Sequence, residues 1–460
     1  MKTDSDRKRR LPVGAEVWPE GVHFRVWAPR RKKVEVVIER EPGGQSQAFE
    51  LAAEEGGYYS GLVASAAAGS LYRFRLDGDA SFPDPASRAQ PLGPHGPSQV
   101  IDPASFLWTD GDWKGLELEG QVMYELHVGT FTREGTWEAA SRELPYLREV
   151  GVTVIEMMPV ADFPGRFGWG YDGVNLFAPT RLYGAPDDLR RFIDKAHGLG
   201  LGVMLDVVYN HLGPDGNYLG QYSDDYFTDR YETDWGEAIN FDGENSSAVR
   251  EFFISNAGYW IEEYHFDGLR LDATQNIYDS SPDHILAAIA RRVRESARGR
   301  ATIVVAENEP QETRLVRPQE RGGYGLDGVW NDDFHHSAFV ALTGHNEAYY
   351  RGYLGSPQEL ISAVKWGYLY QGQLFTWQAK RRGTPTFGLK PASFITFIEN
   401  HDQVSNSARG QRVHQLSDPA PYRAMTALLL LAPGTPLLFQ GQEFAASSPF
   451  LFFADHKEDL

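Results

Sequence analysis

The sequence predicts a closed (β/α)8 TIM-type barrel preceded by an antiparallel β-sandwich, and three observations carry that prediction. Short alternating runs broken by Gly and Pro fill residues 11–108, apolar strand-like runs alternate with amphipathic helices from about residue 121, and that alternation passes through eight strands. Strict βα alternation requires a parallel sheet, and eight units favour a closed barrel over an open doubly wound sheet. A chain of 460 residues also exceeds one ordinary core, so at least two domains are expected.

The runs "VHFRVWAP", "KVEVVIE" and "LYRFRLDG" place an N-terminal β-domain at 1–108. Its opening "RKRR" at 7–10 reads as a solvated terminus. A Pro- and Gly-dense connector at 81–100 closes the domain, and the barrel is expected over 109–460. Its units are "VMYELHV" with "WEAASRELPYLREVG", "VTVIEMMPV" with "DDLRRFIDKAHGLG", and "GVMLDVVYNH" with "SAVREFFISNAGYWIEEYH". "GLRLDAT" with "DHILAAIARRVRESAR", "TIVVAENE", and "LDGVWNDDF" with "ELISAVKWGYLYQG" follow, then "SFITFIENHD" with "APYRAMTALLLLAPG" and finally "TPLLFQGQEF". Only "AASSPFLFFADHKEDL" comes after strand eight, so an eighth helix and any C-terminal β-domain are expected to be absent. A polar, aromatic insert at about 212–246 separates strand three from its helix, the place where a barrel builds a binding wall.

Composition narrows the partners. The net charge of −19 repels phosphate backbones and anionic lipid, which argues against nucleic acid and membrane surfaces, while 22 Tyr and 11 Trp offer flat faces for stacking. The absence of Cys excludes disulfides, thiol catalysis and thiolate metal sites. No apolar secretory segment opens the sequence and no run of eighteen apolar residues occurs, so a cytoplasmic protein is expected; the oligomeric state is left open.

Four strands finish in acids, often beside a histidine: Asp206 with His211, Arg270 with Asp272, Glu307, and His401 with Asp402. The C-terminal ends of barrel strands surround one mouth, so these side chains must converge. Clustered carboxylates repel, which drives their pKa values apart and suits them to acid and base roles. Arg270, two residues before Asp272 on the same strand face, is expected to lower the Asp272 pKa and keep it ionised as a nucleophile. Glu307, among other acids, is expected to stay protonated as a general acid. A strand-end ion pair would explain any one of these residues, and Asp206 in particular could serve only to orient Arg270. Four such ends are harder to attribute to packing, because buried charge without a function usually destabilises.

At these residues the chain resembles the α-amylase family of glycoside hydrolases. "DVVYNH" (206–211), "GLRLDATQ" (268–275), "AENE" (306–309) and "ENHDQ" (399–403) are similar to its four signature regions in order and in strand position. The resemblance implies Asp272 as nucleophile, Glu307 as acid/base and Asp402 as a third carboxylate that binds sugar hydroxyls. It also implies that Tyr171 and Trp169 in "WGYDG", with Asp206, His211, Arg270 and His401, line the subsite of the reacting glucose. The N-terminal domain would then be carbohydrate-binding-like.

Within that family, "FGWGYDGVNLFAPTRLYGAPDDL", "WNDDFHHSAFVALTG" and "LLFQGQEFAASSPFLFFADH" are most similar to the maltooligosyltrehalose trehalohydrolases. This implies hydrolysis of the α-1,4 bond next to the terminal trehalose of maltooligosyltrehalose. Asp332, Asp333, His335 and His336 stand at the C-terminal end of the sixth strand, where they are expected to line the product side; a solvated loop with ordinary hydrogen bonds is the alternative, above all for His336. A glycogen branching or debranching enzyme is the alternative within the family, and a non-catalytic glycan-binding barrel is the alternative outside it. "GLGLG" at 198–202 precedes a strand, so it reads as a helix C-cap and not as a dinucleotide fingerprint. Asn210 resembles a calcium ligand of many α-amylases, but its companions cannot be placed, so no metal and no cofactor is expected.

Overall fold

The computed structural model describes residues 8–39, 44–407 and 409–456. The N-terminal part holds two antiparallel sheets. One runs Gly14–Trp18, Gly21–Trp27, Tyr58–Val63, Ala52–Ala53; the other runs Ser46–Glu50, Val34–Glu39, Leu71–Leu76, Ser81–Phe82, with Ser98–Gln99 also paired to Leu71–Leu76. Period-two alternation buries Phe24, Tyr72 and Phe74 between them, Phe24 meeting Tyr72 edge-on at 4.9 Å. Lys8 and Arg10 of the basic stretch before them are exposed, as the sequence suggests, but Arg9 and Arg10 are tied down. Arg9 donates to the Leu11 and Gly14 carbonyls, and Arg10 pairs with Glu263 of the barrel at 2.9 Å, because unpaired backbone acceptors and a buried acid lie within reach. Arg7 lies outside the described residues, as do 457–460 at the far end.

The barrel strands are β1 (Met123–Leu126), β2 (Val154–Met157), β3 (Gly202–Val207), β4 (Gly268–Leu271), β5 (Ile303–Ala306), β6 (Gly328–Trp330), β7 (Phe394–Phe397) and β8 (Thr435–Phe439). They are parallel throughout and close in sequence order, β8 pairing with β1. The main helices are α1 (Trp137–Val150), α2 (Pro186–Gly198), α3 (Ser246–Glu263), α4 (Ile285–Ser296), α5 (Asp332–Thr343), α6 (Pro357–Trp366) and α7 (Pro419–Leu431). Thr136 caps α1 through Ala139 N–H, and Gly151, at φ 103, ends it in the left-handed conformation that glycine adopts without strain.

Alternation decides what fills the barrel. Met123, Val154, Met204, Ile303, Val305, Trp330, Ile395, Phe397 and Leu437 point inward and form one cluster, while their chain neighbours pack outward on the helices. The β4–β5 approach is so close that a Cβ on Gly268 would sit 1.8 Å from the Ile303 carbonyl oxygen.

One detail differs from the sequence reading, which assigned "ELISAVKWGYLYQG" as the helix of the sixth unit and gave none to the fifth. The helix after β6 begins at once, at Asp332, and "ELISAVKW" forms the separate α6 further on. Between β5 and β6 only a short 3-10 turn, Gln319–Arg321, occurs among the described residues. The insert after β3 folds as a one-turn helix, Leu219–Tyr222, and a hairpin, Phe227–Thr233 with Gly236–Ile239. After β8 the described residues form turns and an extended segment, and an apolar groove of about 1040 Å³ bordered by Val150, Leu430 and Phe444 lies beside α7. Among the described residues no helix is long and apolar enough to cross a membrane.

Candidate active site

Arg270 organises the mouth of the barrel. Register pairs Asp206 with Arg270 across β3 and β4, and the same inward parity carries Asp272 and Glu307. Arg270 Nη1 donates to Asp206 Oδ2 at 2.7 Å and to Asp272 Oδ1 at 2.8 Å, and Nη2 donates to Glu307 Oε2 at 3.0 Å. One guanidinium therefore holds three carboxylates. Its face lies 4.1 Å from the Trp330 ring centroid, a cation–π contact inside the barrel.

Glu307 is fixed further by backbone. Its Oε2 accepts the Ala273 N–H at 2.9 Å, and its carbonyl accepts from the Thr274 hydroxyl at 2.6 Å. Ala273 adopts φ 38, ψ 53, a left-handed conformation costly for a residue with a Cβ, directly after Asp272. That turn aims its N–H at Glu307, so backbone strain coincides with the carboxylate pair.

Burial raises both acids. Loss of hydration, only partly offset by Arg270 and reinforced by the neighbouring acids, pushes Asp272 up to about 6. The same causes push Glu307 up to about 7. The Asp272 shift is opposite to the sequence expectation: Arg270 does lower it, but desolvation inside the barrel is larger. The order survives, with Asp272 the stronger acid.

Around this pair the other sequence-selected residues fall into two groups. Tyr171 donates to Asp206 Oδ2 at 2.7 Å, sits 2.9 Å from His401 Nε2 and stacks on the His401 ring at 5.1 Å. Trp169 meets His401 edge-on at 5.0 Å and donates to the Leu451 carbonyl. His211 contacts the Tyr171 carbonyl through Nε2, and burial pushes its pKa down to about 4. Asp402 lies 3.6 Å from His401 Nε2 with its side chain 42% exposed, the most open of the clustered acids.

Asp333 and His335 fall elsewhere. Both are 0% exposed. Asp333 accepts from the Tyr353 hydroxyl at 2.6 Å and the Tyr370 N–H at 2.8 Å, and the His335 ring lies against Phe339, Tyr350 and Phe397. Neither reaches the surface, because "DDFHH" forms the first turns of a helix buried all round instead of a strand-end loop. His336 is buried with them, and Asp332, in the same turn, keeps 20% of its side chain exposed beside Arg382.

Sequence reasoning missed Trp235 and Glu125. Trp235, at the tip of the inserted hairpin, is exposed and stacks on His211 at 4.5 Å and 6°. The aromatic character of that insert was the available signal. Glu125 stands as an acid within the otherwise apolar "VMYELHV", and its contacts centre on His401. Asn210 is buried, and among the described residues no three His, Asp or Glu side chains are grouped to hold a metal ion.

Comparison with known proteins places this geometry. The model of the α-amylase catalytic domain matches residues 100–240, and that of carbohydrate-binding module 48, the isoamylase N-terminal domain, matches residues 12–103. The malto-oligosyltrehalose trehalohydrolase of Saccharolobus solfataricus is 41% identical over 97% of this chain and 78% of its own length. The chain belongs to the malto-oligosyltrehalose trehalohydrolase family. The Deinococcus radiodurans trehalohydrolase is 44% identical, over 100% of this chain and 74% of its own. A crystal structure from Salmonella typhimurium, assigned to the α-amylases, superposes with a TM-score of 0.91 at 44% identity, covering 98% of this chain and 76% of that one.

Proposed function

We propose that the cleft of this trehalohydrolase-family chain hydrolyses, with retention, the α-1,4-glucosidic bond next to the terminal trehalose of maltooligosyltrehalose. The observation that carries the reading is the single guanidinium of Arg270 bridging Asp272 and Glu307. Carboxylates held on its two terminal nitrogens are kept as close neighbours, which supports a retaining pair, since retaining glycosidases hold theirs about 5 to 5.5 Å apart.

In this reading Asp272, the stronger acid, attacks the anomeric carbon of the glucan and forms a covalent glucosyl-enzyme. Glu307 gives its proton to the bridging oxygen, and trehalose departs. Glu307, now a carboxylate, takes a proton from water, which attacks the same carbon and releases the glucan with Asp272 regenerated. Asp402 accepts from sugar hydroxyls, and His401 donates to them through Nε2–H beside the Tyr171 hydroxyl. Asp206 holds Arg270 and Tyr171 in place. Trp235, exposed on His211, offers a ring face to a pyranose. On the product side the exposed part of Asp332 is the group available to trehalose hydroxyls, with Asp333 and His335 packed behind it.

The test is product analysis. Incubation with maltooligosyltrehalose should yield trehalose, while plain maltooligosaccharide should yield none and be cleaved slowly. A change in the number of α-1,6 branches with no trehalose release would reject the proposal in favour of a branching or debranching activity.

A further inference from the structure

Glu125 lies on the inner face of β1 and is 1% exposed. Its carboxylate is committed to one residue: Oε2 accepts the His401 backbone N–H at 3.0 Å, and Oε1 lies 2.5 Å from Nδ1 of the same ring. The far ring nitrogen of His401 then points into the cleft, toward the Tyr171 hydroxyl at 2.9 Å and Asp402 Oδ2 at 3.6 Å. Opposite Glu125 in strand register stands Glu156 of β2, also 1% exposed, whose two oxygens have no hydrogen-bond partner among the described residues. Two carboxyls facing one another inside a barrel do not both ionise, and the charge settles on the one that has a cation to pair with.

We propose that Glu125 is a positioning residue for the hydrolysis: through its two contacts it holds His401 doubly protonated and clamped at two points, so that Nε2–H stays directed at the reacting sugar and Asp402. The inference rests on the cleft reading above, because Glu125 acts only through His401.

The charged and titratable groups facing His401 are Glu125 and His127 beside β1, Glu156 on β2, Tyr171, Asp206 on β3, Arg270 on β4 and its own neighbour Asp402. Burial alone would push the imidazolium down, and Arg270 adds to that; Asp402 and Glu125 outweigh both and push it up to about 9. Burial, then the charge of Glu125, pushes Glu156 well above the usual carboxylate range, so it remains the neutral acid.

In Glu125→Gln the amide removes the negative charge and one of the two acceptors. The kcat should fall about 10- to 100-fold with KM changed less than about threefold, since the clamp acts on the transition state. The basic limb of kcat/KM against pH should move about one pH unit or more toward acid, because His401 would lose its proton before Glu307 does. A merely structural role lowers the whole profile without moving the limb, and that result would overturn the proposal. In a His401→Asn background, Glu125→Gln should have no further effect; an undiminished loss there would also overturn it. If Glu125→Gln does not fold, ring-¹⁵N NMR of the unsubstituted protein decides. His401 should be doubly protonated at about pH 7.5, and a neutral tautomer would reject the inference. That measurement does not depend on turnover. Normal activity of Asp272→Ala, by contrast, would reject the cleft reading and leave the ring state as measured.

Discussion

Arg270 and Glu307 show what one residue's surroundings do to its chemistry. Glu307 keeps its proton to about 7 in the folded chain, against an ordinary value of 4.5. Between those values the folded state binds one more proton than the unfolded state, so stability falls as pH rises, and above about 7 the deficit is constant. Glu307→Gln removes that deficit. At pH 8 it should be more stable than the parent by about 1 to 3 kcal/mol, and near pH 4 the two should coincide, as read from denaturant midpoints. The same pair sets the activity profile. The kcat/KM should climb as Asp272 ionises through about 6 and fall as Glu307 loses its proton through about 7, a narrow bell. Asp272→Ala and Glu307→Gln should each lower turnover about 10³-fold or more while oligosaccharide binding largely survives, measured by initial rates and calorimetry. Near-parental rates in either variant would reject the assignment of roles.

At the scale of elements, the barrel depends on its lower rim as much as on its mouth. Asp267, just before β4, accepts from the Val203 N–H at 2.9 Å and from Trp113 Nε1 at 2.7 Å, and faces His197 Nε2 of α2 at 2.9 Å. One buried carboxylate thus ties together β3, β4, α2 and the segment entering the barrel. Asp267→Ala leaves His197 and Arg300 without this partner and should cost about 3 to 5 kcal/mol in denaturant unfolding, with turnover per folded molecule unchanged within about threefold. Legibility also varied by element. Strands were readable because period-two alternation is strong even in short runs. The helix after β6 was not, because every residue from Asp333 to Val340 is buried, which erases the polar face that an amphipathic pattern needs.

For the whole molecule, one buried cluster runs without a break from Leu11, Phe24 and Tyr72 of the N-terminal sheets to Trp137, Phe253 and Val329 around the barrel. Tyr222 and Tyr226, from the insert after β3, pack on that domain: the Tyr222 hydroxyl donates to the Pro83 carbonyl at 2.8 Å, and Tyr226 meets Trp27 at 5.2 Å. The Tyr58 hydroxyl donates to Glu251 of α3 at 2.6 Å. The same insert carries Trp235, so the N-terminal domain braces one wall of the cleft. Calorimetry of the whole chain should therefore show a single heat-absorption peak, and two resolved transitions would contradict a shared core.

The amino-acid order by itself determined the strand count, the parity that turns Asp206, Arg270, Asp272 and Glu307 to one side, and the four motifs that carry the family likeness. These are properties of local period and residue type. Only the tertiary structure decided who meets whom and at what charge. It placed three carboxylates on one guanidinium, buried Asp333 and His335 out of reach, and set Trp235 on His211. It also raised the Asp272 pKa where the adjacent arginine alone would have lowered it. The reason is that desolvation depends on everything that surrounds a side chain, and in a closed barrel those surroundings come from strands scattered along nearly the whole chain.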